Sequence, residues 1–259
     1  VIDAIDLGKV RKENIIIPYS ISILSKNYCE LQKILKSDCF LEIGAFEADF
    51  SRNMKNIFPT SKVYAFEASP YCYENYKNLN SSIEYLNLAI SDKDGEIYFS
   101  LQDKNLSDQT EIEKVRGNNS ILDRNDDTIS YKKIKVKTTT LDSFIEKKSL
   151  TDLSFSLWID VEGANKNVLQ GAQKYLKNTQ SLLIEVEDFE YWKKQWISKD
   201  VDKFLQDYGF IPISRDFEDN NQYNVVYINQ RLVEDINIEN QIKNWINNYF
   251  FQIGLEIVS

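Results

Sequence analysis

One stretch limits what this chain can become: Cys39-Phe-Leu-Glu-Ile-Gly-Ala-Phe-Glu-Ala-Asp-Phe-Ser51. Residues 39–43 read as a strand buried on both faces. The run breaks at Gly44, and the apolar spacing then becomes helical, with Phe50, Met54, Ile57 and Phe58 on one side as far as Pro59. A second strand, 62–67, ends in Glu67. Strand, glycine turn, helix and acid-tipped strand is the order of a nucleotide-type site at the carboxyl edge of a parallel sheet. The glycine lets backbone approach a ligand, and the acid can accept hydrogen bonds from both hydroxyls of a ribose.

The rest of the chain extends this α/β rhythm. Ile21, Leu24, Tyr28, Leu31 and Leu35 predict a helix over 20–36, after an extended lead-in over 1–19. Ser69-Pro70 opens a helix over 70–79, and 83–88 reads as a third strand. Strands at 96–101 and 131–138 flank a polar stretch, 102–130, whose length suits a functional lid. Thr140 caps a short helix. Strands at 153–159 and 181–186 end near Asp160 and near Glu185, Glu187 and Asp188. A tryptophan-bearing helix is expected over 190–206, then an antiparallel pair at 209–214 and 223–229. The expected organisation is a lead-in and helix over 1–37, one α/β domain over 38–232, and a C-terminal amphipathic helix over 233–259. That last helix packs on the sheet or, as the sharper alternative, forms a homodimer contact.

Bulk properties exclude several classes. Hydrophobic residues make up 42%, enough for a packed core. A net charge of -9 argues against nucleic acid as the main partner, because phosphate neutralisation needs clustered cations. No apolar run approaches the roughly 18 residues of a membrane span. Cys29, Cys39 and Cys72 are odd in number and lack metal spacing, so reduced thiols and a cytoplasmic setting are expected, with no signal peptide. The chain starts at Val1 and its one methionine is Met54, which reads as one domain of a longer chain. There is no histidine, so a general base must be a carboxylate, lysine, tyrosine or metal-bound oxygen.

The glycine turn itself argues about the ligand. Nicotinamide dinucleotides usually want G-x-G-x-x-G, with pyrophosphate on the helix N-terminus. Here Glu47 and Asp49 would stand beside the phosphates, an unfavourable like-charge contact. Tyr73/Lys77 and Tyr131/Lys135 match the short-chain dehydrogenase spacing, but among 15 tyrosines both read as chance. S-adenosylmethionine has no phosphate and carries a sulfonium and an ammonium, which suit carboxylates such as Glu42.

Several motifs in order strengthen this reading: Glu42-Ile-Gly-Ala-Phe, Val63-Tyr-Ala-Phe-Glu-Ala-Ser-Pro70, Asn87-Leu-Ala-Ile-Ser-Asp-Lys-Asp-Gly95, Thr140-Leu-Asp142, Trp158-Ile-Asp-Val-Glu-Gly-Ala164 and Val168-Leu-Gln-Gly-Ala172. They resemble the FkbM family of S-adenosylmethionine-dependent methyltransferases over about residues 38–188. The resemblance implies a class I, Rossmann-like methyltransferase sheet, mostly parallel, with helices on both faces and an antiparallel last strand. It implies O-methylation of a hydroxyl on a sugar, glycan or glycan precursor. It places Glu42, Gly44, Ala45, Phe46 and Ser51 at the methionine end, Glu67, Ala68 and Ser69 at the ribose, and Leu88 and Ala89 near adenine. Asp160 and Glu162 would face the methyl group and acceptor, and Asn119-Ser120 the substrate side. Two positions depart from the family: Ala48 stands where a second glycine is usual, and Phe46 where asparagine is common.

Two arrangements for activating the hydroxyl stay open. Asp160, Glu187 and Asp188 can hold Mg²⁺ through oxygen, as in metal-dependent sugar and catechol O-methyltransferases. Alternatively Asp160, Glu162 or Glu185 acts directly as base, with Lys166 nearby. Glu187 and Asp188 can also be helix caps. Tyr191, Trp192 and Trp196 either stack on a sugar face or form a helix stripe. The different-class alternative is a non-catalytic binding or scaffold module with this fold, for which the missing second glycine is the best support.

Overall fold

The computed structural model describes residues 16–102 and 118–255. The expected lead-in up to residue 15 and residues 103–117 of the expected lid lie outside these. The chain runs α1 (Ser20–Leu35), β1 (Cys39–Ile43), α2 (Asp49–Ile57), β2 (Lys62–Glu67), α3 (Pro70–Tyr76), β3 (Glu84–Asn87), β4 (Ala89–Ile90), β5 (Gly95–Gln102) and β6 (Tyr131–Thr139). It continues with α4 (Leu141–Lys147), β7 (Phe155–Ile159), α5 (Asn165–Gln170), β8 (Thr179–Glu187), α6 (Ser198–Asp207), β9 (Phe210–Arg215), β10 (Gln222–Asn229) and α7 (Ile236–Gln252).

Seven strands form the main sheet in the order β3-β2-β1-β7-β8-β10-β9. β1, an interior strand, pairs in parallel with both β2 and β7, and all five of its residues are buried. A strand covered on both faces needs an unbroken apolar run, and Glu42 is its one polar member. β10 lies antiparallel between β8 and β9. The chain leaves the main sheet after β3, and β4 joins β5 and β6 in a second, three-stranded sheet. The expected third strand, 83–88, corresponds to β3, and the two residues of β4 just after it belong to the second sheet.

One face of the main sheet carries Leu157, Ile159, Leu182 and Ile184 beneath α4, α5 and α6, and Leu169 of α5 joins them in the same core. The other is covered by α1 and α7, whose Leu24, Leu31, Ile242, Ile246 and Tyr249 meet Leu183 and Val226 from the strands. Trp158 joins this second layer against Tyr28 and Phe50. Burying each such side chain contributes about 1.5–3 kcal/mol, which draws both terminal helices onto the sheet. Cys29, Cys39 and Cys72 are buried thiols outside any disulfide. No helix among the described residues is long and apolar enough to cross a membrane.

The Gly171 of the Val-Leu-Gln-Gly-Ala motif has ordinary backbone geometry at the end of α5. Space is its constraint: a Cβ there would lie 2.0 Å from the carbonyl oxygen of Ser91. The Gly171 carbonyl also accepts the Asp142 N–H at 2.9 Å, so the α5 end, the β4–β5 turn and α4 meet at one point. Gly171→Ala should therefore cost about 1–3 kcal/mol and lower Tm by roughly 2–12 °C, readable by thermal denaturation.

Candidate active site

Gly44 follows β1 with φ +80°. Its N–H and that of Ala45 both donate to the Phe66 carbonyl of β2, at 3.0 and 2.9 Å. On the other side, the Asp160 N–H donates to the Ile43 carbonyl at 2.9 Å. A Cβ on Gly44 would sit 1.7 Å from the Asp160 carbonyl oxygen, so only glycine lets the tips of β1 and β7 close this far. Glu67 and Asp160 thereby share one rim of the sheet, and both line a cavity of about 300 Å³. That volume is at the lower end of small-ligand pockets.

The Glu67 carboxylate is held from two sides. One oxygen accepts the Phe46 N–H at 2.9 Å and the other the Ser69 N–H at 2.6 Å. Each oxygen keeps a further lone pair for a ligand hydroxyl. Burial pushes the Glu67 carboxyl up to about 7 against these hydrogen bonds. Across the cavity, Asp160, Glu162 and Ala164 come from the β7–α5 turn, where Glu162 and Gly163 both have left-handed φ, +48° and +78°. The Glu162 Oε1 accepts the Asn118 N–H at 3.2 Å and its carbonyl accepts from the Ser120 hydroxyl at 2.7 Å.

A family model described as the methyltransferase FkbM domain matches residues 38–212. This chain belongs to the FkbM methyltransferase family. A relative from Sinorhizobium fredii, "2-O-methyltransferase NoeI", is 26% identical over 161 residues, which cover 60% of this chain and 65% of that protein. The match thus spans less than two thirds of the relative's length. Among solved structures, a precorrin-6y C5,15-methyltransferase from Geobacter metallireducens aligns with a TM-score of 0.41 at 11% identity, covering 76% of this chain and 84% of that one. Aeropyrum pernix fibrillarin with natively bound S-adenosyl-L-methionine aligns with a TM-score of 0.40 at 13% identity, covering 74% and 66%.

The FkbM motif residues distribute unevenly about the cavity. Gly44, Phe46, Glu67, Ala68, Leu88, Ala89, Asp160, Glu162 and Asn119 line it; Glu42, Ala45, Ser51 and Ser69 do not. Glu42 turns away because α2 needs it. Ala48, before the helix, has no side-chain acceptor, and Glu42 Oε2 takes the Ser51 N–H at 2.8 Å instead. Phe99 and Ile121 complete the wall and were not anticipated. Phe99 is readable only as an inward residue of the alternating β5, and Ile121 sits in an irregular stretch with no pattern.

The expected metal set Asp160, Glu187 and Asp188 is not assembled. Asp188 is drawn elsewhere, its Oδ1 accepting from the hydroxyls of Ser198 and, at 2.9 Å, Tyr223. The carboxylates whose oxygens come together, all within 4.8 Å, are Asp160, Glu162 and Glu185. The reason is strand parity: Glu185 and Glu187 point to one face of β8, Asp188 does not share it, and the register Ile159↔Ile184 sets Glu185 beside Asp160. Glu187 is buried and accepts from Gln195 at 3.2 Å. The expected tryptophan helix starts only at Ser198. Trp192 lies in the preceding loop, fully buried, so its indole presents no free sugar-stacking face, and half-buried Trp196 packs on Phe204 at 5.1 Å. Lys166 is directed at the Trp196 ring, 5.9 Å from its centroid.

Burial and mutual repulsion raise the whole cluster. Burial, then the Asp160 charge, pushes Glu162 up to about 7. Burial with the Glu162 and Asp160 charges pushes Glu187 to about 8. Burial raises Asp160, and burial plus the neighbouring carboxylates raises Glu185 well above the usual range. A carboxyl raised in the folded state holds its proton more tightly there than when unfolded. Its stabilising contribution is complete below the unfolded value, near 4.5, and is lost as pH rises through about 7–8. With no histidine to titrate in that window, the effect should be visible. The Tm of the ligand-free protein should fall by several degrees from pH 6 to pH 8, and Glu187→Gln should flatten the slope in differential scanning fluorimetry.

Proposed function

We propose that this chain is an S-adenosylmethionine-dependent O-methyltransferase acting on a hydroxyl of a sugar, glycan or glycan precursor. One observation carries the reading: the charged residues lining the cavity are Glu67, Asp160 and Glu162, all carboxylates, and no lysine or arginine among the described residues lines it. A pyrophosphate would meet like charge there. A ligand that has a ribose and a net positive far end meets complementary charge. Glu67 would hold the ribose hydroxyls, Leu88, Ala89 and Phe99 would flank the adenine, and Gly44 would leave room for the backbone approach. When bound, the cofactor supplies a methyl group made electrophilic by its sulfonium.

The chain's own work is to position and deprotonate the acceptor. Asp160 and Glu162 face the cavity from the β7–α5 turn, and the Asn118 and Ser120 contacts fix that turn. Glu162, raised to about 7, is matched to take a hydroxyl proton near neutral pH as the oxygen bonds to the methyl carbon. Burial and the charges of Asp160, Glu162 and Glu187 raise Glu185 well above the usual carboxylate range, which lessens the negative charge of that corner. Membership of the FkbM family supports methyl transfer. The name of the Sinorhizobium fredii relative, a 2-O-methyltransferase, supports oxygen as the acceptor.

Isothermal titration should give micromolar binding of S-adenosylhomocysteine and none of NAD, with Glu67→Gln weakening the former at least tenfold. Absence of binding at millimolar ligand would leave a scaffold role. In a product-release assay over a panel of sugars, Glu162→Gln should lose about 10²–10⁴-fold in kcat while S-adenosylhomocysteine affinity holds. Turnover that persists in Glu162→Gln but disappears with chelator would transfer the hydroxyl activation to a metal.

A further inference from the structure

Asn119 and Ser120 are neighbours in sequence with different surroundings. Asn119 lines the cavity with Phe99 and Ile121, and its Oδ1 accepts the Gln102 N–H at 2.8 Å. Ser120 is 1% exposed and does not line the cavity. Its backbone forms an antiparallel bridge to Ser100 of β5, the two N–H groups donating across it at 2.7 and 3.2 Å. Its hydroxyl has one proton, and the neighbours decide where that proton points. The Leu122 N–H donates to the Ser120 Oγ at 3.2 Å, and the hydroxyl donates in turn to the Glu162 carbonyl at 2.7 Å.

That contact acts on a strained turn. Glu162 holds φ +48° without being glycine, and Gly163 follows at +78°. A residue in such a region persists only where its surroundings over-determine it. Neither Glu162 nor Gly163 belongs to a helix or strand, so no ladder of backbone bonds sets their position. Among the described residues the Ser120 hydroxyl is the one donor to the Glu162 carbonyl. Two residues earlier on the same segment, the Asn118 N–H donates to the Glu162 Oε1 at 3.2 Å. One short piece of chain therefore grips Glu162 by its backbone and by its carboxylate. The far end of that piece is anchored as well: Arg124 bridges to Trp192, and the Lys193 N–H donates to the Asp123 carbonyl at 2.7 Å. Trp192 also bounds the turn, because a Cβ on Gly163 would lie 2.5 Å from its ring. Without the Ser120 hydroxyl the carbonyl loses its donor, and a shift of Glu162 out of the left-handed region redirects its side chain.

We infer that Ser120 is a positioning residue for methyl transfer: its hydroxyl holds the turn that aims the Glu162 carboxylate at the acceptor, without itself touching cofactor or acceptor. This rests on the methyltransferase reading above and adds to it the residue through which the second, three-stranded sheet fixes the base. The demand for such a link is geometric. A base must stay within hydrogen-bond reach of the proton it takes, and a misplacement of about 1 Å costs on the order of 100-fold in rate. A carboxylate on an irregular turn meets that demand only if the turn is tied to something rigid, and Ser120 ties it to β5.

The test compares Ser120→Ala with Ser120→Thr, which keeps a hydroxyl, in the full chain. By calorimetry both should bind S-adenosylhomocysteine as the unmodified chain does. With the sugar of the panel that the unmodified chain methylates fastest, Ser120→Ala should lose roughly 10–100-fold in kcat at little-changed acceptor KM, and Ser120→Thr should recover most of the loss. Because Ser120 acts through the Glu162 carboxylate, Ser120→Ala should cost little more once Glu162→Gln is in place. A crystal structure of Ser120→Ala, which needs no acceptor, should show the Glu162 carboxylate displaced and its contact with the Asn118 N–H lost. An unmoved Glu162, an unchanged kcat, equal losses in the two Ser120 variants, or an undiminished loss in the Glu162→Gln background overturns the assignment. If S-adenosylhomocysteine does not bind or no sugar is turned over, it is the methyltransferase reading that fails, and the crystal structure still decides whether Ser120 holds Glu162.

Discussion

The closure of three strand tips around Gly44 is the contact on which the rest depends. Its two neighbouring N–H groups reach β2 through Phe66, and its missing side chain admits the Asp160 carbonyl from β7. No other residue type satisfies both the left-handed φ and a 1.7 Å approach. Once the tips are that close, the side chains that follow them must converge. Glu67, Asp160 and Glu162 end up around one cavity because the backbone beneath them has no alternative spacing.

Convergence of acids is expensive, and the chain answers it in two ways. Backbone N–H groups solvate some: Phe46 and Ser69 for Glu67, Ser51 for Glu42, Asn118 for Glu162. Protons neutralise others, as the raised Glu185 and Glu187 illustrate. Cations are nearly absent from the response; Arg124 alone lowers Glu162 and Glu187. A cluster solvated by dipoles and shared protons keeps a negative potential that a positive ligand can use. A cluster satisfied by lysines would not. In a chain without histidine, such crowded carboxyls are also the groups that titrate near neutrality.

How much of this was legible in the sequence follows from the range of the forces involved. β1 and β2 are set by local apolar runs and a glycine, so their bounds read directly as 39–43 and 62–67. The same holds for the Thr140 cap, whose hydroxyl accepts the Ser143 N–H at 3.0 Å. What depends on register reads only in part: Asp160, Glu162 and Glu185 are nameable together as candidate bases, but the sequence does not separate Glu185 from Glu187 and Asp188. The pairing of Ile159 with Ile184 decides that Glu185, rather than Asp188, meets Asp160. Trp192 looked helical because its neighbours are apolar at plausible spacing, yet its place is fixed by Arg124, far away in sequence, and by Gly163, where a Cβ would lie 2.5 Å from its ring. As a carboxylate in the glycine-turn motif, Glu42 suits a sulfonium or ammonium, but its side chain does not line the cavity. The uncapped start of α2 claims it first.

The two departures from the family pattern show why local identity can change while the turn survives. Phe46 and Ala48 both hold left-handed φ, +43° and +61°, the geometry for which asparagine and glycine are the usual choices. Each costs about 1–2 kcal/mol in an ordinary L-residue. Ala48 is completely buried among Ala45, Ala65 and Tyr85, and burying its methyl returns about 0.8 kcal/mol. Phe46 is tied by its N–H to Glu67, by its carbonyl to the Tyr85 hydroxyl, and by its ring to Tyr76 at 5.2 Å. An edge-to-face pair is worth about 0.5–1.5 kcal/mol beyond its area. The Phe46 ring contact and the buried Ala48 methyl offset part of this strain, while the two backbone hydrogen bonds at position 46 do not depend on its side chain. The backbone that presents Glu67 to the cavity is therefore retained, which removes the main argument that this chain has lost its ligand and become a scaffold.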